Sequence, residues 1–469
     1  MNFTKYLCMM LLLAFVACSD EPEGEVAPTE LIRSIQVSPQ SDNVLRMDVN
    51  IEFKQGVNYQ IEYWKNDDET SKKTTVLAES DGSATSTLVL LEPETQYTFK
   101  VQASTGSAST VSDEYKFTTA SLPAGVPVYS MPINKLEESL PGYILLMKTD
   151  RPGYITMVDT EGNVVWYQNM EKAVRVANFD EKTNTICCII GAYTEKDYTG
   201  NEMVVMDLTG KKLLDKVFDK FYAHHDIRRM PDGNLILVNY TPKTFDLTER
   251  GGSKEETVWG DGYTIFDMEG NKLEEWDCFG ELHPADDPNI MEMVPVTSVL
   301  ENPIWYKDDW LHANSVNFDS EGNIYMSFNW RSELWKIERS TGKVLYRVGK
   351  DGNVDMPEMG YANGMHCVEP LKPDEVLVFD NGISSHLSRA LIYAVDEKSR
   401  KADVTMEVTL PEYSSPYMSN VQILNENLLM FGSTQTSTVV FTDKKGTVLR
   451  TILGLHQSYR SVYIPKIEY

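Results

Sequence analysis

Histidines occur at comparable places in three short stretches of this sequence, and their side chains are the first candidates for chemistry. His224 and His225 precede the run DIRRMPDGNLILVNY, His312 and Asn314 lie in DWLHANSVNF, and His366 precedes CVEPLKPDEVLVFDNG. His312 and Asn314 are two residues apart, so an extended strand places them on one face. With only 7 histidines in 469 residues, a chance recurrence of this kind is improbable. We expect the imidazoles to converge on one site.

A cluster of imidazoles can bind a metal, stabilise an oxyanion or attack an electrophile. Zinc, copper and iron accept imidazole ligands, but no H-x-H or H-E-x-x-H spacing accompanies these histidines. Arg331, at the end of the strand after His312, would repel a cation, and imidazoles with Arg or Asn suit an oxyanion better. The sequence also contains no Walker A loop, no G-x-G-x-x-G run and no G-x-S-x-G elbow. It therefore predicts no metal and no nucleotide cofactor.

A repeated hairpin indicates how the strands that carry these histidines are arranged. An apolar strand, a polar turn and an outgoing strand recur as TMVDTEGNVVWY, VVMDLTGKKLLDK, TIFDMEGNKLEEW, WKIERSTGKVLYR, IYAVDEKSRKADVTM and VVFTDKKGTVLRT. A second strand–turn–strand unit accompanies the copies, as in RRMPDGNLILV and NFDSEGNIYMS. Four strands per copy, six copies and no helical pattern predict an all-β fold, with a six-bladed β-propeller over residues 143–469. The first strand of each blade lines the central channel in such a fold.

Residues 30–120 predict a small, separate β-sandwich in front of the propeller. The runs LRMDVNIEF and YQIEYWK alternate in polarity, and turns rich in Ser, Thr and Gly separate them. The run LEPETQYTFKV places Tyr97 as in the tyrosine corner of immunoglobulin-like sandwiches, so this domain resembles fibronectin type III. Residues 121–142 are expected to form a linker and a possible ring-closing strand.

The first 17 residues predict a lipoprotein signal peptide. Lys5 supplies a positive charge, an apolar run too short to span a bilayer follows, and FVAC places a small residue just before Cys18. The hypothesis is a lipid on Cys18, a flexible acidic tether over residues 18–29, and attachment to the outer membrane of a bacterial cell envelope. An ordinary signal peptide with an incidental cysteine is the alternative.

The charge balance limits the possible partners. A formal net charge of −27 argues against nucleic acid, because phosphate binding needs clustered Lys and Arg. The membrane is an expected partner for a different reason, through the lipid on Cys18.

Four motifs, in order along the chain, resemble the bacterial arylsulfotransferase family, whose members need no PAPS. They are HHD at 224–226, DWLHANSV at 309–316, the histidine that precedes VFDNG, and the SRALIY strand from Ser388. The resemblance covers about Pro127 to Tyr463, and it implies a six-bladed propeller. It also implies transfer of a sulfuryl group from a phenolic sulfate donor to a phenolic acceptor through a covalent sulfohistidine, without a cofactor.

The resemblance also implies roles for individual residues. His366 matches the nucleophile, and His225 and His312 match the histidines that hold the sulfuryl oxygens. Asn314 lies beside them, and His224 is a further candidate for substrate binding.

Two positions depart from the family pattern. The family usually has Q-H-D where this chain has Met365, His366 and Cys367. Counting back from the W-K-I run, the family's sulfate-binding arginine falls on Asn329, with Arg331 two residues away on the same strand face. Both residues are therefore candidates for contacts to sulfate, and loss of the arginine would weaken sulfate binding.

Two other functions stay open at this point. The first is a non-catalytic cell-surface propeller that binds a sulfated or phenolic ligand or a protein, and the second is a metal-dependent propeller lyase or lactonase. Tyr222, Trp310 and Trp330 are candidates to stack on a phenol ring, although packing at the channel mouth explains them equally well. The SYR run at 458–460 is interpreted as structural.

Overall fold

The computed structural model describes residues 31–66, 68–106, 108–137, 139–192, 199–294 and 304–468. The predicted signal peptide, Cys18 and the tether lie outside the described residues. Within the described ranges, regular structure consists of β-strands and short 3-10 helices, with no α-helix. No helix there is long and apolar enough to cross a membrane.

The first nine strands form two antiparallel sheets that share one core. They are β1 (Ile32–Pro39), β2 (Met47–Phe53), β3 (Val57–Lys65), β4 (Asp68–Thr74), β5 (Ala78–Ser80), β6 (Ser83–Leu88), β7 (Gln96–Ser104), β8 (Ser109–Val111) and β9 (Tyr115–Thr118). One sheet has the order β1-β2-β6, and the other has the order β4-β3-β7-β8, with β5 on β3 and β9 on β7. The Tyr97 hydroxyl accepts a hydrogen bond from the Glu92 N–H at 2.9 Å, as a tyrosine corner requires. The likeness to fibronectin type III stays a prediction.

The remaining strands form a series of antiparallel sheets. They are β10 (Tyr129–Asn134), β11 (Tyr143–Lys148), β12 (Tyr154–Asp159), β13 (Val164–Asn169), β14 (Val174–Asp180), β15 (Thr185–Ile190), β16 (Thr199–Gly200), β17 (Glu202–Asp207), β18 (Lys212–Val217), β19 (Tyr222–Arg229), β20 (Leu235–Phe245), β21 (Glu256–Phe266), β22 (Lys272–Asp277), β23 (Ala313–Phe318), β24 (Ile324–Phe328), β25 (Glu333–Glu338), β26 (Lys343–Val348), β27 (Met365–Lys372), β28 (Glu375–Asp380), β29 (Arg389–Asp396), β30 (Lys401–Thr409), β31 (Asn420–Ile423), β32 (Leu428–Ser433), β33 (Thr438–Asp443), β34 (Val448–Gly454) and β35 (Val462–Ile464). The short 3-10 helices are Thr248–Arg250, Cys278–Gly280, Pro284–Asp286, Tyr306–Asp308, Glu358–Gly360 and Pro411–Tyr413.

These strands are grouped into sheets that follow one another along the chain. The orders are β13-β12-β11-β35, β14-β15-β17-β18, β16-β19-β20-β21-β22, β23-β24-β25-β26, β27-β28-β29-β30 and β10-β34-β33-β32-β31. Inner strands of successive sheets contact one another, as β14 contacts β19, β19 contacts β23, and β23 contacts β27. The all-β, propeller-like fold expected from the sequence is confirmed.

Strands from the two ends of this region join its first and last sheets. The C-terminal strand β35 pairs with β11, so that Ile144 faces Tyr463. The early strand β10 pairs with β34 as the outermost strand of the last sheet. Both pairings join strands that are far apart in sequence, and they cover strand edges that would otherwise be unpaired.

The recurring D-x-x-G turns have a common local cause. In one of them, Asp159 Oδ1 accepts hydrogen bonds from the N–H groups of Glu161 and Asn163, both at 2.9 Å. Gly162, three residues after the aspartate, has φ +88°, a left-handed conformation that glycine adopts without steric cost. The turn between β23 and β24 repeats this arrangement at Asp319 and Gly322. The sequence signature is therefore the chemistry of one tight hairpin turn.

A buried arginine connects the first sheets to the propeller-like region. Arg46 lies over the ring of Trp166 at 5.1 Å and donates to Gln168 Oε1 at 2.9 Å. The side chain of Asn43 donates to the backbone oxygen of Tyr167 at 2.8 Å. Burial lowers the pKa of Arg46 to about 10, so the guanidinium is still charged at neutral pH.

Candidate functional site

The candidate site lies where three neighbouring inner strands begin, and each of these strands is irregular there. Register in the pairing of β19, β23 and β27 shifts at Ala223/Ile227, Ala313/Ser315 and His366/Val368. Three residues at these points have left-handed backbones: His225 (φ 59°), His312 (φ 56°) and Cys367 (φ 50°). Bulges re-aim side chains, and each left-handed residue of this kind costs about 1–3 kcal/mol. Backbone irregularity at matching places on three strands is therefore part of how the site is built.

A buried carboxylate favours the imidazolium form of His312. Its Nδ1 lies 2.6 Å from Asp309 Oδ2, and the hydroxyl of Tyr240 donates to Asp309 Oδ1 at 2.7 Å. Burial alone would lower the pKa of His312, but the charge and hydrogen bond of Asp309 outweigh it and raise that pKa. The same pairing lowers the pKa of Asp309 against the effect of its own burial. Such a pair can supply a proton and take it back.

His366 is held in the opposite state, as a neutral imidazole. Burial, followed by the charge of His312, lowers the pKa of His366 to about 3. Its Nδ1 lies 2.6 Å from Asn381 Oδ1. The amide nitrogen of Asn381 donates to the backbone oxygens of Ser415 and Met418 at 2.8 and 3.0 Å, so its oxygen must be the acceptor. The proton is therefore on Nδ1, and Nε2 carries the lone pair that a nucleophile needs.

His225 packs against His312, and its imidazole is also neutral. Its ring centroid is 4.8 Å from that of His312, and burial, followed by the charge of His312, lowers its pKa well below the usual value. His224 lies behind it, fully buried. The ring of His224 stacks on Tyr240 at 4.0 Å, and its Nδ1 is 2.7 Å from Nδ1 of His225.

Both the nitrogen and the oxygen of the Asn314 amide form hydrogen bonds within the protein. Its nitrogen donates to the backbone oxygen of Met365 at 2.8 Å, and its oxygen accepts from the Ser327 hydroxyl at 2.5 Å. Met365 is the residue before His366. Asn314 therefore ties β23 to the strand that carries His366.

A buried arginine from the C-terminal segment supports the same place. Arg460 donates to Asp226 Oδ1 at 2.8 Å and to the backbone oxygen of Asn314 at 3.3 Å. Tyr459 donates to that same oxygen at 3.2 Å, and its ring lies 5.6 Å from the ring of His225. The positive charge of Arg460 contributes to the lowered pKa of both His225 and His366.

Asn329 and Arg331 are in different surroundings, although they are close in sequence. The Asn329 amide nitrogen lies 3.2 Å from Nδ1 of His366, and the side chain is buried. Because Nδ1 already carries a proton, it offers that amide no lone pair. Arg331 Nε donates to the buried carboxylate of Glu333 at 3.0 Å, which holds the guanidinium by an ion pair. The structure brings Asn329 to the histidines, and it gives Arg331 a carboxylate partner.

The aromatic candidates also differ. Trp310 is buried, stacks on Phe279 at 5.6 Å and donates to Asp287 Oδ2 at 2.8 Å, so it is part of the packing. The ring of Trp330 lies 4.7 Å from that of His312. The ring of Tyr222 packs edge-on against Trp259 at 4.9 Å. Trp330 is therefore the aromatic candidate that contacts a site histidine.

Several functional residues were not identified from the sequence. Asp309 and Asn381 lie inside motifs that had been singled out, three residues before His312 and 15 after His366. Their proximity in sequence was an available signal. Asp261 lies on β21 and Arg460 lies just before β35, and only the fold brings them close to the histidines. No set of three or more His, Cys, Asp or Glu residues suited to a metal occurs in the described part of the chain.

Comparisons with known proteins place this geometry in a family. Three solved structures, all below 13% identity, resemble the fold only distantly. A protein of unknown function from Bacteroides caccae has TM-score 0.45 and 12% identity, over 70% of this chain and 100% of that chain. A protein from Lactobacillus plantarum has TM-score 0.40 and 10% identity, over 87% and 99%. A virginiamycin B lyase from Staphylococcus aureus has TM-score 0.36 and 8% identity, over 69% and 88%.

The comparison with curated proteins found no match. The model of the family described as Arylsulfotransferase (ASST) matches residues 73–452, which is most of the chain and includes every histidine of the site. The chain therefore belongs to the arylsulfotransferase family and is a sulfotransferase enzyme.

Proposed function

We propose that the enzyme moves a sulfuryl group from a phenolic sulfate to a phenolic acceptor through a covalent sulfohistidine on His366, without PAPS. The observation that carries the proposal is the contrast between His366 and His312. One buried imidazole is neutral with a lone pair on Nε2, and the other is paired with Asp309, which raises its pKa. A nucleophile and a proton donor with separated pKa values suit group transfer.

In the first half-reaction, the lone pair of His366 Nε2 forms a bond to sulfur as the bond from sulfur to the phenolic oxygen breaks. The leaving oxygen takes a proton from His312, which becomes neutral beside Asp309. The imidazole of His366 gains positive charge as it is sulfated, and Asn381 Oδ1, 2.6 Å from Nδ1, stabilises that charge. Phenolate is a good leaving group, so no adenylated donor is needed.

In the second half-reaction, the acceptor phenol gives its proton to His312, and its oxygen attacks the sulfur. The sulfuryl group leaves His366, which returns to its neutral form. One residue serves as acid and then as base, as reversal of a single pathway requires. This assigns the proton transfers to the Asp309–His312 pair.

Charge on the sulfuryl oxygens is stabilised mainly by hydrogen-bond donors and by the charge of His312. We assign the donor roles to His225 and to the amide of Asn329, which lies 3.2 Å from His366 Nδ1. Fixed donors around developing charge are usually the largest catalytic contribution. Asn314 keeps His366 in place through Met365, and we assign it no contact with sulfate.

The test is a steady-state assay with 4-nitrophenyl sulfate as donor and phenol as acceptor, in the presence of a chelator and without PAPS. We expect release of 4-nitrophenolate together with formation of phenyl sulfate. Double-reciprocal plots at several phenol concentrations should be parallel, because a covalent intermediate gives ping-pong kinetics. Intersecting plots, or turnover that depends on added PAPS or metal, would contradict the proposal.

We also propose that Cys18 carries a lipid and anchors the enzyme in the bacterial cell envelope. Support comes from the FVAC sequence after a short apolar run. Cys18→Ser should move the protein from the membrane fraction to the soluble fraction without changing the transfer rate. Wild-type protein found free of membranes would overturn this proposal.

A further inference from the structure

Two adjacent histidines at the back of the site share one proton. Nδ1 of His224 and Nδ1 of His225 lie 2.7 Å apart, so one of these nitrogens carries a hydrogen and the other accepts it. A neutral imidazole carries one N–H in total. The position of the shared proton therefore decides whether Nε2 of His225 presents an N–H or a lone pair.

The position of the shared proton depends on the protonation state of a third residue, Asp261. His224 Nε2 lies 3.4 Å from Asp261 Oδ1. If Asp261 is protonated, it donates to His224 Nε2, His224 Nδ1 donates to His225, and His225 Nε2 bears a hydrogen. If Asp261 is ionised, His224 Nε2 bears the hydrogen, His225 donates to His224, and His225 Nε2 carries a lone pair. The two arrangements differ by one proton, which is lost from His225 Nε2 while two hydrogens shift along the chain.

We propose that Asp261 and His224 are positioning residues that determine whether His225 presents a donor or a lone pair to the sulfuryl oxygens. This inference rests on the proposed function. A donor on His225 binds the anionic sulfate ester, whereas a lone pair repels it. The relay is thus expected to control substrate binding more than the covalent step.

The surroundings of Asp261 allow both states. The side chain is fully buried, and its Oδ2 has no hydrogen-bond partner within the described ranges. Burial and the nearby Asp309 raise the pKa of Asp261 to about 7, against opposing contributions from the Ala313 N–H and from the charge of His312. The backbone N–H of Leu311 also favours the ionised form, and the Cys278 thiol is a further neighbour.

A spectroscopic experiment reads the relay directly. Protein labelled with ¹⁵N-histidine is examined by long-range ¹H–¹⁵N correlation at pH 6 and pH 8.5, and the His225 signals are assigned through His225→Gln. We expect the hydrogen on Nε2 at pH 6 and on Nδ1 at pH 8.5. Asp261→Asn should keep it on Nδ1 at both values, because the amide oxygen facing the Ala313 N–H can accept from His224 but cannot supply a proton.

Kinetics give the second measurement. The KM for 4-nitrophenyl sulfate should rise by about 10- to 100-fold from pH 6 to pH 8.5, since a hydrogen bond to a charged group is lost. In Asp261→Asn, KM should already have the high value at pH 6 and should not change with pH. The control is Asp319→Asn, which changes a buried carboxylate in the turn between β23 and β24. Its KM should depend on pH as in wild type.

The outcomes separate this inference from the proposed function. A His225 tautomer that is the same at both pH values in wild type, or that still changes in Asp261→Asn, overturns the relay even in an active enzyme. If Asp261→Asn does not fold, His224→Phe keeps the ring stacked on Tyr240 and removes both nitrogens. It should abolish the pH-dependent tautomer change, and persistence of that change would overturn the relay. An enzyme without sulfotransferase activity but with the expected spectra would contradict only the proposed function.

Discussion

Asn381 Oδ1 lies 2.6 Å from Nδ1 of His366, and this contact determines which nitrogen of the histidine can react. Two backbone carbonyls hold the amide of Asn381 in one orientation. The acceptor oxygen is therefore fixed, and with it the tautomer of His366. The partner of the proposed nucleophile is a neutral amide rather than a carboxylate, which keeps His366 uncharged in its buried position.

Substitution of Asn381 should slow formation of the covalent intermediate. In Asn381→Ala, His366 loses the acceptor for its Nδ1 proton, and the rate of 4-nitrophenolate release in a single turnover should fall about 10- to 100-fold. Asn381→Asp is the contrasting variant, because a carboxylate accepts the same proton but also favours the protonated imidazole, as Asp309 does for His312. Its rate should therefore fall at neutral pH and recover as the pH increases. Equal rates in wild type and Asn381→Ala would show that the tautomer is not set by this contact.

Asp309→Asn should change the pH dependence of the reaction. Asp309 raises the pKa of His312, so His312 is protonated below that raised value and loses its proton as the pH increases through it. Without the carboxylate, the pKa of His312 falls, and the alkaline limb of the pH–rate profile should move to lower pH. At pH 8 we expect a rate loss of about 100-fold for phenyl sulfate, the size of a general-acid contribution.

The choice of leaving group provides the control for Asp309. 4-Nitrophenolate departs with little need for a proton, whereas phenolate needs one. The loss caused by Asp309→Asn should therefore be much smaller for 4-nitrophenyl sulfate than for phenyl sulfate. Equal losses with both donors would mean that Asp309 supports the fold of the site rather than the acidity of His312.

The fold was more accessible from the sequence than the site. The D-x-x-G turns can be recognised in the sequence because the residues that form each turn lie within one hairpin. Asp159 accepts a hydrogen bond from the turn backbone, and Gly162 adopts its left-handed conformation. His225 and His366 could also be singled out, since the repeat places them on equivalent inner strands. In contrast, the pairing of Arg331 with Glu333 depends on the rotamer and the local twist of the strand. Such choices depend on three-dimensional packing, which a residue pattern does not record.

Distant partners were the hardest to foresee. The SYR run was interpreted as structural, yet Arg460 lies buried against Asp226 and Asn314. The neighbouring sequence does not indicate this contact, because it forms only when the C-terminal segment folds back and β35 pairs with β11. The same is true of Asp261 on β21, whose contact with His224 cannot be recognised from the sequence around it.

Asn329 and Arg331 should differ in their effect on sulfate binding. Asn329→Ala removes an amide that lies 3.2 Å from His366 Nδ1, and we expect the KM for 4-nitrophenyl sulfate to rise about 10-fold. Asn329→Asp should raise it further through charge repulsion. For Arg331→Ala, the KM should stay within about 2-fold of the wild-type value, because the guanidinium is held by Glu333 and offers no hydrogen bond to sulfate. A larger effect of Arg331 than of Asn329 would reverse their assignment.

Burial of a neutral histidine should make the protein less stable in acid. The pKa of His366 is lowered to about 3, whereas an unfolded histidine takes up a proton near its ordinary value. Between these values the unfolded state binds more protons, so the free energy of unfolding falls as the pH decreases. From pH 7 to pH 5 this residue should contribute a loss of about 2 kcal/mol.

Urea denaturation of wild type and His366→Gln at pH 7 and pH 5 measures that contribution. The variant should lose less stability than wild type over this range, by about the same 2 kcal/mol. Identical losses would indicate that His366 becomes protonated in the folded protein well above the expected pH.

The most direct test of the central claim is the intact mass of the protein after brief exposure to 4-nitrophenyl sulfate without an acceptor. Wild type should gain the mass of one sulfuryl group, and phenol should then remove it with formation of phenyl sulfate. His366→Ala should show no adduct and no turnover. An adduct that persists in His366→Ala, or full transferase activity in that variant, would rule out a sulfohistidine on His366.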